Sequence, residues 1–267
     1  MTDTRPVLLV LDYPGRREEA RIADLRLQER GYDVRHLLVA PFSRELDAPS
    51  YARDLVRRHR LAEASVAAVL SYCMSAAIAQ EVAALVNRDQ EPVRVVLFDA
   101  EPVTPAAVAG QYAEALRQMA EQLDVGQPQP WSGQIFDEDA LTRRPDEVIR
   151  RMRQELVGFA TSALTAGSYD EDEAAGTASA LAELYLDWLV HLVAAYHATW
   201  PAWGGSVVHV LSRSPGFTGP WPGARETHLV RTAAPRADLL STAEVAAMVD
   251  AHLRQVPTSV TRSGERA

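Results

Sequence analysis

Apolar residues along this chain fall into short runs that alternate with longer stretches in which only one face is apolar. Residues 6 to 12, Pro-Val-Leu-Leu-Val-Leu-Asp, form a continuous apolar run ended by Tyr13-Pro14-Gly15, which predicts a strand buried on both faces and then a turn. Residues 17 to 30 carry Ile22, Leu25 and Leu27 in a helical pattern, and Gly31 is placed to stop that helix. The alternation continues with a strand at Val34 to Val39, a helix over 49–61, a strand over 66–72, a helix from Met74 to Val86 and a strand from Val93 to Phe98. Short apolar runs joined by helices imply parallel strands linked by crossovers, with helices on both faces of the sheet.

From about 101 to 200 the strand pattern stops, and helical stretches are predicted around 105–123, 145–165 and 171–199. Strands return at Ser206 to Leu211 and Glu226 to Arg231, and Ser241-Thr242-Ala243-Glu244 is a capping-box signature for a last helix ending near 254. The economical reading is an α/β core interrupted by helices: a first core part over 1–100, a helical lid insertion over 101–203, a second core part over 204–256 and a flexible tail over 257–267.

Composition narrows the class. The 267 residues are 47% hydrophobic and 24% charged, as expected of one globular domain. No uninterrupted apolar run reaches the roughly 18 residues of a membrane span, and no basic segment precedes a long apolar one at the N-terminus, so the expected location is the cytoplasm. A net charge of -9 argues against a nucleic-acid partner. All 27 basic residues are Arg, which reads as a coding bias. One cysteine makes no internal disulfide, and the Cys and His spacing gives no zinc pattern, so no metal is expected.

That cysteine, Cys73, is the candidate for chemistry. It lies in Val-Leu-Ser-Tyr-Cys-Met-Ser-Ala-Ala, residues 69 to 77: an apolar run, a small residue, a nucleophile, a second small residue and an Ala-rich helix. This is the layout of a nucleophile elbow, in which the chain reverses from strand to helix and the positions two before and two after the nucleophile must be small. Here those positions are Ser71 and Ser75. A lone Cys also serves as small apolar filler in a core, which is the alternative reading.

The order of strand, Cys73 elbow, helix, strand ending in Asp99, helical lid, two strands and last helix resembles the thioesterases of polyketide and nonribosomal peptide synthesis. These are α/β hydrolases with a mostly parallel sheet and an inserted helical lid, and the chain is most similar in character to the type II thioesterases, the resemblance covering most of its length in order. Their Gly-x-Ser-x-Gly corresponds to Ser71-Tyr72-Cys73-Met74-Ser75, and their Ala-x-Glu-x-Ala to Ala79-Gln80-Glu81-Val82-Ala83. The resemblance implies Asp99, in Val-Val-Leu-Phe-Asp, as the acid, and places Arg236, within Ala234 to Leu240, where the family carries its catalytic His. It implies an oxyanion site at the Met74 N–H and at Gly15 or Arg16 in the turn after the first strand, although the family's Gly pair is missing there.

A guanidinium with a pKa above about 12 cannot take a proton from a nucleophile. Beside Cys73 a cation at 236 is expected to lower the thiol pKa, which makes Cys a better nucleophile than Ser in a site without His. The alternative has Arg236 as an ion-pair partner of Asp99 or an exposed arginine, and Asp99 as a helix cap. His36 and His209 fall in predicted strands, His59 on a solvated helix face and His252 in the last helix. His228 and His197 are the two that offer a substitute base.

Leu184, Tyr185, Leu186, Trp188, Leu189, Leu192, Tyr196, Trp200 and Trp203 wall an acyl pocket or simply pack the lid on the core. Arg150, Arg151 and Arg153 meet an acidic carrier or form a solvated face. The implied partner is an acyl or peptidyl carrier protein, whose phosphopantetheine is the substrate arm rather than a resident cofactor, with a small-molecule acyl acceptor. The expected chemistry is transfer, cyclisation or offloading of a carrier-bound acyl or aminoacyl thioester through Cys73. Cys-nucleophile relatives that shuttle aminoacyl groups between carriers are similar. The alternatives are a non-covalent cyclisation in the old pocket and a noncatalytic carrier- or synthase-binding partner.

Overall fold

The structure, a computed structural model, describes residues 5–15, 19–87, 92–126, 138–167 and 169–254. Six strands, β1 (Val7–Leu11), β2 (Asp33–His36), β3 (Val66–Tyr72), β4 (Arg94–Phe98), β5 (Ser206–Leu211) and β6 (Glu226–Arg231), form one sheet in the order β2-β1-β3-β4-β5-β6. Every neighbouring pair is parallel. All of β1, and β3 from Ala68 onward, are buried, which is why these strands read as unbroken apolar runs. The edge strand β6 is largely exposed and mixed in character.

One face of the sheet shares a single apolar core with α1 (Ala48–Arg58), α2 (Ala76–Val86) and the helices inserted between β4 and β5: α3 (Pro105–Gln122), α4 (Glu138–Arg143), α5 (Pro145–Ala166) and α6 (Glu171–Tyr196). The opposite face, with Leu8, Val10, Leu70, Val96, Val208 and Val210, packs on Ile22, Leu25, Leu27, Leu239, Leu240 and α7 (Ala243–Arg254). The inserted helices are therefore continuous with the core. By length and composition α6 would cross a membrane, but 61% of its most apolar stretch is buried inside the fold. Ala174, Ala178 and Ala182, four residues apart, are fully buried along it.

Two local expectations need correction. The helix expected over 17–30 is instead two 3-10 turns, Ile22–Leu25 and Leu27–Arg30, joined at Arg26 with φ 50°. Residues two apart lie on different sides of one helix, so Leu25 and Leu27 both reach the sheet only because the chain breaks between them. At α7 the cap is Thr242, whose hydroxyl accepts from Val245 N at 3.3 Å, while the Ser241 hydroxyl donates to the Asp238 carbonyl. The tail beyond residue 254, read as flexible, lies outside the described residues.

Two side chains of α2 hold the end of the insertion. Gln80 donates to the Pro201 and Pro222 carbonyls, at 2.9 Å each, and accepts from Trp221 Nε1 at 2.7 Å. Glu81 accepts from the Thr199 backbone and hydroxyl at 2.9 and 2.8 Å. Gly223, with φ 75°, is required beside them, because a Cβ there would lie 2.5 Å from Gln80 Nε2. Replacing Gln80 by Leu strands three polar partners at once, one of them buried and two part-buried. Gln80→Leu is expected to destabilise the fold by about 3 kcal/mol, read as a lower urea midpoint with an unchanged slope; an unchanged midpoint would refute this role.

Candidate active site

At the end of β3 the chain turns at Cys73, whose φ is 54°, into a short 3-10 turn, Cys73–Ser75, and then α2. The left-handed backbone lifts the side chain out of the pleat at the carboxyl end of the sheet. Both flanking serines are engaged: the Ser71 hydroxyl donates to the Leu11 carbonyl at 3.1 Å, and the Ser75 hydroxyl bonds His191 Nε2 at 2.9 Å. These bonds fit two small polar residues into positions where glycine is usual.

Arg236 comes to Cys73 across the opposite side of the sheet. It opens the 3-10 turn Arg236–Ser241, and that loop is fixed by Arg213 N to Ala234 O at 2.8 Å and Ala20 N to Ala237 O at 2.9 Å. Its Nη2 donates to Cys73 Sγ at 2.8 Å. Its Nε donates to the Tyr72 hydroxyl at 3.2 Å and lies 3.3 Å from Glu19 Oε1, and the guanidinium stands 5.6 Å from the Tyr72 ring centre. The carboxylate partner of Arg236 is thus Glu19 rather than Asp99.

The electrostatics differ from the expected lowering of the thiol pKa. Burial pushes the Cys73 thiol above its ordinary value and is the largest effect. The Arg236 charge opposes it, the Glu101 carboxylate adds to the rise, and hydrogen bonds from Met74 N–H and Arg236 favour the thiolate. The net direction is upward. Resting Cys73 is therefore a thiol already surrounded by donors for the charge it would carry.

Asp99 continues β4 as Cys73 continues β3, because Tyr72 pairs with Phe98. Its carboxylate turns toward β5, where Oδ1 accepts from Ser212 N at 2.7 Å. His209 of β5 accepts from Ala100 N at 3.0 Å, and its pKa is pushed down to about 4 by burial against the opposing Asp99 charge. Gly15 has its carbonyl bonded by Arg21 Nη2 at 3.1 Å, and Arg16 lies outside the described residues. The structure therefore gathers Cys73, Met74 and Arg236, and leaves Asp99 facing the next strand.

The two histidines singled out as substitute bases have other partners. His197 Nε2 bonds the Leu141 carbonyl at 2.9 Å, and His228 on the edge strand lies 3.4 Å from Glu226. Arg151 and Arg153 are paired with Glu147 and Glu183, as a solvated face would be. Trp203 Nε1 donates to the Val93 carbonyl at 2.8 Å, and Trp188 Nε1 to Gln111 at 2.9 Å, so the aromatic segment packs and anchors the insertion. Sequence reasoning missed His191, Glu19 and Glu101. His191 touches the elbow from α6, is wholly buried among Tyr13, Tyr51 and Trp188, and has its pKa pushed down to about 3 by that burial. A lone His in the apolar run Leu189 to Val193 was its one sequence signal.

No family model and no curated protein matches the chain. Among solved structures, a four-domain nonribosomal peptide synthetase, holo-AB3403 bound to AMP and glycine, matches over 96% of this chain with TM-score 0.54 and 14% identity. The chain spans 20% of that synthetase. The NocB thioesterase domain, in covalent complex with a fluorophosphonate nocardicin G analogue, matches over 94% of this chain and 96% of its own, with TM-score 0.50 and 16% identity. The likeness is one of fold. This chain has an α/β-hydrolase-like fold, a parallel six-stranded sheet with helices around it.

Thiol chemistry reports the balance at Cys73 directly. The rate of alkylation by iodoacetamide is expected to rise with an inflection above the ordinary thiol range of about 8.5, and Arg236→Met is expected to move the inflection higher still. An inflection below that range, or one unmoved by Arg236→Met, would contradict the assigned electrostatics.

Proposed function

We propose that this protein acts on carrier-bound acyl or aminoacyl thioesters of secondary metabolism, with Cys73 as the acyl-accepting nucleophile. The contact of Arg236 Nη2 with Cys73 Sγ at 2.8 Å, on a left-handed elbow, carries the reading. A guanidinium cannot serve as the base, but it stabilises a thiolate as that charge forms, which lowers the barrier to attack rather than tightening the resting state. The fold likeness to a synthetase and to a thioesterase domain supports the substrate class.

In the first step the Cys73 sulfur bonds the thioester carbonyl carbon and the carbon–sulfur bond to the pantetheine arm breaks. The proton lost by Cys73 ends on the departing pantetheine thiol. One thioester replaces another, so the step needs no net proton acceptor. Met74 N–H is the proposed oxyanion donor, with Gly15 in the turn after β1 as the second.

Release of the acyl group to water would need a base. The two buried histidines nearest in role are poor ones, with pKa values pushed to about 4 at His209 and about 3 at His191. Transfer to an acceptor nucleophile, cyclisation or offloading fits this site better than hydrolysis. Asp99, paired with Ser212 N, then supports the end of β4 and β5 rather than orienting a base on Cys73. An acyl or peptidyl carrier protein is the proposed partner, and no resident cofactor is needed.

Incubation with acyl-pantetheine or an acyl carrier, followed by intact mass, is expected to show an acyl adduct that is absent in Cys73→Ala. No adduct, together with unchanged turnover in Cys73→Ala, would overturn covalent catalysis and leave the non-covalent reading. Arg236→His introduces the missing base where the guanidinium now meets the thiol. This variant is expected to increase thioester hydrolysis; a folded variant with flat hydrolysis would show that position 236 does not serve as the histidine position.

A further inference from the structure

The loops that leave β4 and β5 emerge at the same end of the sheet as Cys73, because β3, β4 and β5 are parallel and paired in that order. They meet at Glu101 and Gly216. A Cβ on Gly216 would lie 2.5 Å from Glu101 Oε2, 3.4 Å from its Cδ and 3.9 Å from its Oε1, so the three nearest atoms all belong to one carboxyl group. Gly216 is not among the glycines with positive φ, so its backbone does not call for glycine. What glycine supplies is the space in which the carboxylate sits.

The other carboxylates around the elbow are engaged: Glu81 by Thr199, Asp99 by Ser212 N and Glu19 by Arg236. Glu101 enters no hydrogen bond or ion pair among the described residues, and it is half-buried against an exposed Gly216. Its charge nevertheless reaches the sulfur. Burial does most to raise the Cys73 thiol, Arg236 opposes the rise and Glu101 adds to it. An anion so placed works against the thiolate that attack requires.

Arg236 does not cancel that charge, because its nitrogens are turned to Cys73 Sγ, the Tyr72 hydroxyl and Glu19. A cation brought by the substrate would. An ammonium offers N–H donors to a carboxylate that has none, and by pairing with Glu101 it removes the field that opposes the thiolate. The group that carries it therefore promotes its own loading onto the sulfur.

We infer that Glu101, seated on Gly216, binds a primary ammonium on the transferred acyl group, so that amino-bearing acyl thioesters are preferred over plain ones. This rests on Cys73 as the acyl-accepting nucleophile. The ammonium belongs to the acyl group rather than to the acceptor, because an acceptor amine must be neutral to attack whereas the acyl ammonium keeps its charge from loading to release. In the loading step the ammonium also keeps its proton: sulfur bonds the carbonyl carbon, the bond to the pantetheine sulfur breaks, and the Cys73 proton leaves on the pantetheine thiol.

Loading of Cys73 from alanyl-pantetheine and from propionyl-pantetheine, which differ by the ammonium alone, is followed by intact mass at about pH 6, where the amine is charged. The alanyl-over-propionyl rate ratio is expected to fall about tenfold in Glu101→Gln. It is expected to fall also in Gly216→Ala, whose methyl displaces the carboxylate while the urea midpoint stays level. A second measurement uses no thioester: modification of Cys73 by cationic 2-aminoethyl methanethiosulfonate relative to neutral methyl methanethiosulfonate, in which the sulfur takes the alkylthio group and methanesulfinate leaves. That ratio is expected to fall about fivefold in Glu101→Gln. A loading ratio unchanged in Glu101→Gln overturns the inference. If neither thioester loads Cys73, the acyl-transfer reading itself fails and the reagent ratio decides: a fall in Glu101→Gln keeps Glu101 as an ammonium site, and no change overturns it.

Discussion

A residue with a side chain held at φ 54° is the constraint on which this site depends. The left-handed conformation costs on the order of 1–2 kcal/mol for a non-glycine residue, and nothing local to Cys73 repays it. The surrounding sheet does. β3 is flanked by β1 on one side and β4 on the other, so its end cannot shift without breaking two ladders. Ser71 and Ser75 then fix the turn from below and above. With the backbone held there, the sulfur meets a loop from the far side of the sheet, and Arg236 becomes its neighbour.

The same enclosure sets the thiol's character. Burial disfavours the thiolate more than the guanidinium favours it, so the resting group is neutral. The charge of Arg236 is nevertheless in place before any reaction begins, held by Glu19 and Tyr72. Such an arrangement does little for the ground state and most for a species in which sulfur has become anionic. Two features that look contradictory, a raised thiol pKa and an adjacent cation, are thus consistent with a nucleophile activated only during exchange.

Much of the fold was legible because buried parallel strands write themselves as unbroken apolar runs. The spans 66–72, 206–211 and 226–231 agree residue for residue with β3, β5 and β6. The helix expected over 17–30 failed because Leu25 and Leu27 both have to face the sheet, a demand periodicity alone does not reveal. The elbow was visible in the small residues around Cys73. Arg236 was reached through resemblance rather than spacing, since it lies 163 positions from its sulfur contact. His191 had no comparable guide: its partner Ser75 is 116 positions away, and one polar residue in an apolar helix does not announce what it touches. The direction of Asp99 was equally hidden, because sequence places a residue at a strand end but does not say which neighbouring strand its carboxylate faces.

Gln80, Glu81 and Ser75 sit within seven positions of one another, yet each bonds a different point on the chain from His191 onward, at Pro201, Thr199 and His191 itself. The elbow helix and the end of the inserted segment are therefore bonded as a unit. A recombinant that exchanges the insertion alone would separate donors from acceptors at three places, whereas one that carries residues 71–86 with 187–223 keeps the pairings whole. Redesign of this scaffold is constrained by that linkage: the last turns of α6 and the segment after it keep their bonds only if changed in step with the turn that bears the thiol.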